Sequence, residues 1–290
     1  QDVMKLPGGA GRTADAGDVV RGIGWGVSIK NLMYSEAFDD YATARCRLVE
    51  GPDGVHVHLK FATSEVGQGF VTLAPQIART VLGIDAVEID PIDTQVGSAG
   101  STSASRQTWM SGGAVNKACE AVRDLVFERV AADNGWDAAV LLIDGTDIVD
   151  PTSGSRLDAA GACLGLNIDE TVEYRHPPTT ELDEDGQGNP HTAFAFVAHR
   201  AVVDVDPDLG LIKVVQIATA QDVGRALNPL SVIGQIEGGI AQGLGLAVME
   251  EIVQVDGVIR NGNFTDYLLP TFLDMPPVLA ALIEQPDPLA

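Results

Sequence analysis

Three segments of this chain place glycine or serine beside polar side chains where a helix is expected to begin. They are Gly67-Gln68-Gly69, residues 97–113 (GSAGSTSASRQTWMSGG) and residues 224–239. Backbone N–H groups at a helix start bind anions, and small residues let a ligand approach the backbone closely. Arg106 is expected to pair bidentately with a phosphate. One such loop is usually only a turn, but the three together predict binding of a large ligand that carries several phosphates or a pterin.

The third segment opens a predicted helix that is unusually rich in glycine. Asn228 is expected to be its N-cap and Pro229 its first residue. Its interior contains Gly234, Gly238, Gly239, Gly243 and Gly245. Each interior glycine costs about 0.5–1 kcal/mol relative to alanine, so such a helix usually packs closely against another group. The uncharged amides of Gln235 and Gln242 favour a polar ligand as that group.

Other polar groups have simpler interpretations. His56 and His58 have the spacing of one strand face and could share a metal, but no third ligand is evident, so a solvated sheet face is favoured. Structural or surface roles are expected for His176, His191 and His199. Glu237 and Glu250 are candidates for acid–base groups or for helix-surface or capping residues. A serine hydrolase is an open alternative, with Ser103 or Ser105 as the nucleophile. No lysine lies shortly before either serine to activate it, and the GxSxG, HExxH and P-loop patterns do not occur.

The composition is that of a globular protein with a large negative charge. The chain has 290 residues, of which 45% are hydrophobic, and a formal net charge of −23. This charge argues against nucleic acid and anionic membranes as partners, and no apolar run approaches the roughly 20 residues of a membrane span. Cys46, Cys119 and Cys163 are scattered, which predicts buried reduced thiols, no iron–sulfur cluster and a cytoplasmic location. The start at Gln1 lacks an initiator methionine and a signal-peptide pattern, which indicates a fragment or a processed chain.

The first half contains a predicted hairpin followed by two helices. Residues 45–50 and 55–61 are expected to pair around Pro52-Asp53-Gly54, because apolar and polar residues alternate in the second strand. A helix then follows the 67–69 turn and ends at Gly83. A longer helix is predicted over residues 113–132, with a buried side formed by Val115, Ala118, Cys119, Val122 and Val126.

The second half repeats the order of strand, strand and helix. Residues 201–206 and 211–218 are predicted to form a hairpin that leads into the glycine-rich helix. We therefore predict an α+β fold of two related layered subdomains, built from ββα-type units whose mixed sheets are covered by helices, flanking a cofactor groove. The predicted boundaries are 1–178 for the first subdomain, 179–190 for an acidic linker and 191–290 for the second subdomain.

Four segments resemble the molybdopterin-binding part of the molybdenum hydroxylases, the xanthine dehydrogenase and aldehyde oxidase family. They are RGIGWGVS at 21–28, EVGQG at 65–69, STSASRQTWMSGGAV at 101–115 and DVGRALNPLSVIGQIEGGIAQGLG at 222–245. The segments occur in the family's order and span nearly the whole chain. The resemblance implies a molybdenum cofactor on a pterin, oxidative hydroxylation of a purine or related N-heterocycle, and electron transfer through iron–sulfur clusters to a flavin.

The resemblance also assigns roles to individual residues. It implies cofactor contacts from Gln68, Gly69, Ser103, Ala104, Ser105, Arg106, Gln107, Thr108 and Gln235. Ala104 would lie near the molybdenum, and Gln235 would bind the pterin or its phosphate. Ile29 and Lys30 would line the substrate channel. The cofactor is molybdopterin, either plain or as a cytosine dinucleotide, and no iron–sulfur cluster or FAD is expected within this chain.

Two parts of the family pattern are missing from the sequence. The family's general base, a glutamate in a glycine-rich segment, would follow Ala290, and the preceding half of the molybdenum subunit is absent. The catalytic residue is therefore unknown, and the chain is not expected to hydroxylate a substrate alone. Its expected partners are that preceding half and the Fe–S and FAD subunits or domains of an oligomer. The remaining alternative is a non-catalytic assembly module that holds no cofactor.

Overall fold

The computed structural model describes residues 19–34 and 36–288, which form two compact units. The terminal unit contains residues 19–30 and 194–288, and the central unit contains residues 31–34 and 36–193. The strands are β1 (Val20–Leu32), β2 (Tyr41–Gly51), β3 (Gly54–Phe61), β4 (Val87–Ile89), β5 (Leu142–Asp144), β6 (Asp147–Asp150), β7 (Ser155–Asp158), β8 (Asp169–Arg175), β9 (Ala193–Asp206), β10 (Leu211–Asp222), β11 (Gln254–Val255), β12 (Val258–Ile259) and β13 (Val278–Ile283). The α-helices are α1 (Phe70–Leu82), α2 (Gln107–Asn134), α3 (Ala159–Ala162) and α4 (Pro229–Val248).

The central unit is built on a mixed sheet with strand order β4-β3-β2-β8. Strands β2 and β3 form the predicted hairpin, which closes where Gly51 pairs with Gly54. Gly54 has φ 120°, a conformation that glycine adopts without steric cost. Because side chains alternate across a strand, one sheet face is buried under α1 and α2. That face includes Ala44, Cys46, Leu48, Val55, Val57, Leu59 and Phe61.

The buried side predicted for α2 is confirmed, but α2 begins earlier than predicted. Helix α1 ends at Gly83, which has φ 68° as expected of a C-cap. The sequence predicts α2 from residue 113, whereas it begins at Gln107. A Cβ at Gly113 would lie 2.7 Å from the Tyr174 ring, so this glycine lets the helix pack closely on β8. Ser111, Gly112 and Gly113 therefore belong to the helix, whereas Ser101, Ser103 and Ser105 precede it.

The cysteines of the central unit are buried and free, in agreement with the sequence prediction. Cys46 on β2 and Cys119 on α2 have Sγ atoms 3.8 Å apart inside the core. Burial raises the pKa of the Cys163 thiol to about 11. The Cys163 thiol is therefore protonated at neutral pH.

The terminal unit contains a second mixed sheet with strand order β1-β9-β10-β13. Strands β9 and β10 form the predicted hairpin, in which Asp206 pairs with Leu211, and β13 runs parallel to β10. Helix α4 follows this hairpin. Its start is the predicted one, because Asn228 is the N-cap, its side chain accepts a hydrogen bond from Ser231 N, and Pro229 is the first helical residue.

The predicted fold class is confirmed: mixed sheets covered by helices occur in both units, and each unit has the order strand, strand, helix. The acidic segment 179–190 forms a hydrogen-bonded loop, in which Thr180 N donates to Asn189 O over 2.9 Å. The boundaries at 178, 190 and 191 remain predictions. Among the described residues, no helix is long and apolar enough to cross a membrane.

Candidate functional site

Two loops of the central unit meet beside the starts of α1 and α2. The Gln68 Nε2 group donates to Ser64 O over 2.9 Å and to the Oε1 atom of Gln107. The Gln107 Nε2 group in turn donates to Thr102 Oγ1 over 3.0 Å. The structure therefore brings together Gln68, Thr102 and the first residue of α2, Gln107. The two glutamine amides join the loops that precede α1 and α2.

The carboxylate of Glu65 binds the backbone N–H groups at the start of α1. Glu65 Oε1 accepts hydrogen bonds from Gly67 N and Gly69 N, at 2.8 and 3.0 Å, and Oε2 accepts one from Val71 N at 3.0 Å. The N–H groups of Gly67 and Gly69 are therefore bound within the chain, and a cofactor contact from Gln68 and Gly69 stays a prediction. Burial acts to raise the pKa of Glu65, but the backbone hydrogen bonds outweigh it and the pKa is lowered.

Glu65→Gln is expected to weaken the start of α1 by about 1–2 kcal/mol, because it replaces a carboxylate that satisfies helix N–H groups. Since the folded pKa is lowered, the stabilisation is complete above the ordinary value of 4.5 and is lost as the pH falls through the folded value. The free energy of unfolding, measured by urea denaturation between about pH 3 and pH 7, should depend less on pH in the variant. Glu128→Gln on exposed α2 is the matched control, and an equal effect of both substitutions would contradict the capping role.

Arg106 does not have the predicted contact with a phosphate. Its side chain is 0% exposed, and its five N–H groups all have acceptors within the chain. Nε and one terminal nitrogen bind the buried carboxylate of Asp40, and the other donors bind the carbonyl oxygens of Ala99, Ser101 and Tyr41. Asp40 lies 66 positions earlier in the chain, so its charge was not an evident partner in the sequence. Arg106 instead holds the 97–105 loop against β2.

The residues between this arginine and Ser101 have an unusual backbone. Ala104 and Ser105 have φ values of 60° and 49°, which residues with a Cβ adopt at a cost. The neighbouring segment supports them: Met33 N donates to Ala104 O over 2.8 Å. The hydroxyls of Tyr34 and Ser103 lie 3.2 Å apart. The strained backbone at Ala104 and Ser105 is therefore supported by Met33 and Tyr34, and Arg106 binds the preceding part of the loop.

Two glycines of the loop are required by packing within the chain. A Cβ at Gly97 would lie 2.7 Å from Thr43 Oγ1, and one at Gly100 would lie 2.7 Å from a terminal nitrogen of Arg106. The glycines thus serve to close the loop onto β2 and Arg106. This internal role was not part of the sequence prediction.

The start of α2 differs from the starts of α1 and α4. No side chain caps α2, whereas Glu65 binds the first N–H groups of α1 and Asn228 caps α4. Ser103, Ser105 and Thr108 are exposed around the start of α2. Of the three predicted helix starts, α2 is therefore the one with the donor set suited to an anionic ligand.

The other predicted site residues lie in the terminal unit. Gln235 is exposed on α4, and Gln242 lies on the same side two turns later. A Cβ would meet no atom within 4 Å at Gly234, Gly238, Gly239 or Gly243, whereas at Gly245 it would lie 2.8 Å from Pro270. Ile29 and Lys30 are exposed near the end of β1, and Ile29 is 65% exposed. Packing against residues 19–34 and 36–288 thus does not explain Gly234, Gly238, Gly239 or Gly243.

The histidine pair of β3 lies on the polar face of its sheet, as predicted. His56 Nδ1 lies 3.0 Å from Glu88 Oε1, and His58 Nδ1 lies 2.9 Å from Asp90 Oδ1. In residues 19–34 and 36–288, no group of three or more His, Cys, Asp or Glu residues could hold a metal ion. Both histidines are therefore hydrogen-bonded to carboxylates along the sheet surface.

Glu65, Asp40 and Tyr34 were not among the predicted site residues. Glu65 carries a usable sequence signal, because an acidic residue just before a glycine turn can accept the turn's N–H groups. Asp40 and Tyr34 carry no such signal, since their partners are 66 and 69 positions away.

The family comparison assigns this chain to a class of cofactor-binding domains. The model of the molybdopterin cofactor-binding domain matches residues 8–276. The chain belongs to this family, and the resemblance to molybdenum hydroxylases is confirmed.

Named relatives and a solved structure agree with this assignment. The chain is 31% identical over 228 residues to the nicotine 6-hydroxylase large subunit of Paenarthrobacter nicotinovorans, covering 76% of this chain and 28% of that protein. It is 27% identical over 259 residues to the xanthine dehydrogenase molybdenum-binding subunit of Escherichia coli O157:H7, covering 84% and 33%. Quinoline 2-oxidoreductase from Pseudomonas putida 86 has a similar fold, with a TM-score of 0.77, 24% identity and coverage of 93% and 36%. This chain thus spans about a third or less of its curated relatives.

Proposed function

We propose that this chain binds part of the molybdenum cofactor in an enzyme that hydroxylates purines or related N-heterocycles. The observation that carries the proposal is the uncapped start of α2 beside the strained loop of Ala104 and Ser105, in a chain of the molybdopterin-binding family. Nicotine and xanthine, which name two relatives, both contain a nitrogen heterocycle.

The residues of the α2 start fit an anionic pterin. The chain has a net charge of −23, so an anion must be held by local donors rather than by the overall field. In the described part of the chain, the hydroxyls of Ser105 and Thr108 have no hydrogen-bond partner, and both side chains are exposed. With the N–H groups of the first turn, they would bind phosphate or pterin oxygens. Gln68 and Gln107 act by fixing the two loops to each other.

Helix α4 carries the predicted cofactor residue of the terminal unit. Gln235 and Gln242 are exposed amides, and the open space at Gly238 and Gly239 leaves the backbone between them uncovered. Amides can donate to or accept from pterin nitrogen and oxygen atoms without adding charge. We propose that Gln235 binds the pterin or its phosphate, and that Ile29 and Lys30 line the substrate channel.

The bound cofactor supplies the redox centre of the reaction. The overall change converts a ring C–H and water into C–OH, two protons and two electrons. The electrons leave through iron–sulfur and flavin partners, and the catalytic base comes from a part of the enzyme outside this chain. We propose that the chain acts in the cytoplasm within an oligomer, is inactive alone and carries molybdopterin either plain or as a cytosine dinucleotide.

The second candidate is an assembly module without cofactor. It is favoured by the internal use of Glu65 and Arg106, which leaves fewer donors for a ligand than the sequence predicts. The two functions differ in metal content. We expect about one molybdenum and one pterin per copy of this chain in the assembled enzyme, measured by elemental analysis and pterin fluorescence. A folded, assembled enzyme without either, from cells that supply the cofactor, would support the assembly module.

Gln235→Ala is expected to lower the molybdenum content of the assembled enzyme several-fold, because it removes an exposed amide from the proposed ligand surface. The thermal unfolding temperature should change little, since exposed substitutions usually alter stability by less than about 0.5 kcal/mol. Gln254→Ala, an exposed glutamine on β11, is the control. Equal molybdenum content in the parent and in Gln235→Ala would contradict the role of Gln235.

A further inference from the structure

An exposed apolar segment follows α4 in the terminal unit. Residues 264–273, which we call the apolar segment, include Phe272 and Leu273 at 91% exposed and Phe264 at 82% exposed. Leu268 and Leu269 are exposed as well. Isolated exposed apolar side chains are common, but several large ones within ten residues are typical of an interaction surface.

The apolar segment has a defined shape, because its polar groups bind one another. Asn263 Oδ1 accepts a hydrogen bond from Thr265 N at 2.9 Å, and Asn263 O accepts one from Tyr267 N at 2.9 Å. Asp274 Oδ2 accepts from both the backbone and the hydroxyl of Thr271, each at 2.7 Å. Two turns stabilised by side chains thus provide hydrogen-bond acceptors for backbone N–H groups at both ends of the apolar segment. The large apolar side chains of the segment are exposed to solvent.

The end of α4 anchors the same segment. The Tyr267 hydroxyl donates to Glu250 Oε2 over 2.6 Å. Pro270 packs where Gly245 has no side chain, since a Cβ there would lie 2.8 Å from the proline ring. The anchored residues point toward α4, so the phenylalanines and leucines stay on the outer side. A segment that is fixed in place and apolar outside is pre-organised for a protein partner.

We propose that the apolar segment is a docking surface for the part of the molybdenum-binding subunit that lies outside residues 1–290. The proposal rests on the proposed function. The curated relatives are about three times as long as this chain, which supports a further part of the subunit as the occupant of this surface. A second copy is disfavoured, because each copy carries a net charge of −23. Asp266 and Asp274 flank the apolar side chains, so the complementary surface is apolar with lysine or arginine at its edge.

Site-specific photo-crosslinking in the assembled enzyme tests this proposal. A benzophenone amino acid replaces Phe272, the enzyme is purified through a tag on this chain, and mass spectrometry identifies the cross-linked peptide. We expect peptides of the same subunit from outside residues 1–290. The control replaces Leu209, which is 70% exposed in the β9–β10 turn. Cross-links to a second copy of this chain, to an Fe–S or FAD partner, or to nothing above the control would each overturn the proposal.

A paired substitution gives an independent measurement. Phe272→Gln with Leu273→Gln should weaken association with the rest of the subunit at least about tenfold, as expected for central apolar contacts. The unfolding temperature of the isolated chain should not fall, because both side chains are exposed. Leu209→Gln is the control, and unchanged association would reject the docking surface. Molybdenum content separates the two proposals: an enzyme that keeps molybdenum but lacks the Phe272 cross-link rejects the docking surface alone, whereas a cross-linked enzyme without molybdenum rejects the proposed function alone.

Discussion

Arg106→Leu is expected to lower the free energy of unfolding by about 3–5 kcal/mol, the largest single effect predicted for this chain. The substitution leaves the carboxylate of Asp40, which is 3% exposed, without a counter-charge. It also removes donors from three carbonyl oxygens that hold the 97–105 loop. Urea unfolding followed by circular dichroism measures the loss. Arg129→Leu is the matched control, because its ion pair with Asp133 is exposed and contributes at most about 1 kcal/mol.

A second substitution separates the buried charge from the lost packing. Asp40→Asn in the Arg106→Leu background removes the unpaired carboxylate and should recover a measurable part of the stability. Asp40→Asn alone should destabilise, because it removes the acceptor of two arginine donors. Equal stability of the single Arg106 variant and the double variant would show that packing, and not the stranded charge, causes the loss.

Gly97→Ala is expected to cost about 2–4 kcal/mol, through a strained backbone and a steric overlap together. Gly97 has φ 125° and ψ −162°, a region that is essentially confined to glycine. The new Cβ would also lie 2.7 Å from Thr43 Oγ1 on β2. Because Thr43 N donates to Ser98 O over 2.7 Å, the loop cannot move away without losing that bond.

Gly54→Ala provides a control that isolates the steric part. Gly54 has φ 120°, but a Cβ there would meet no atom within 4 Å. The difference in unfolding free energy between the two alanine variants therefore measures the overlap at Thr43. In the assembled enzyme, Gly97→Ala should also lower the molybdenum content, because the loop that leads to Ala104 shifts. A smaller loss of stability at Gly97 than at Gly54 would contradict this account.

Local features of the fold were predictable because their causes lie within a few residues. The Pro52-Asp53 turn, the C-cap at Gly83 and the N-cap at Asn228 each depend on neighbouring atoms. The start of α2 was not predictable in this way, because Gly112 and Gly113 suggest a loop until the close approach of Tyr174 is known. Strand β1 had no predicted counterpart, since its strand partner β9 begins more than 150 residues later.

Carboxylates of the same chain occupy two of the predicted anion-binding groups. Arg106 and the 67–69 turn have residue types suited to anions, and both do bind carboxylates, but those carboxylates are Asp40 and Glu65 of the same chain. A carboxylate of the chain and a phosphate are both anions that accept hydrogen bonds from the same donors. Residue type alone therefore cannot show which of the two an arginine or a glycine turn binds. Gln68 and Gln107 do meet, as the spacing of the predicted loops required, whereas their contact with a cofactor stays a proposal.

The strand order of the terminal sheet has a consequence for how the chain acquires its structure during synthesis. Strand β1 leaves the ribosome before the central unit, but its sheet neighbour β9 comes after it. The central unit is therefore inserted in the sequence between β1 and β9, and it can fold before β9 is available to pair with β1. Because N-terminal segments emerge first and distant strand pairing is slow, the terminal sheet closes last. Until then, the backbone N–H and C=O groups of β1 have no strand partner, so β1 would be the strand most in need of protection by a chaperone.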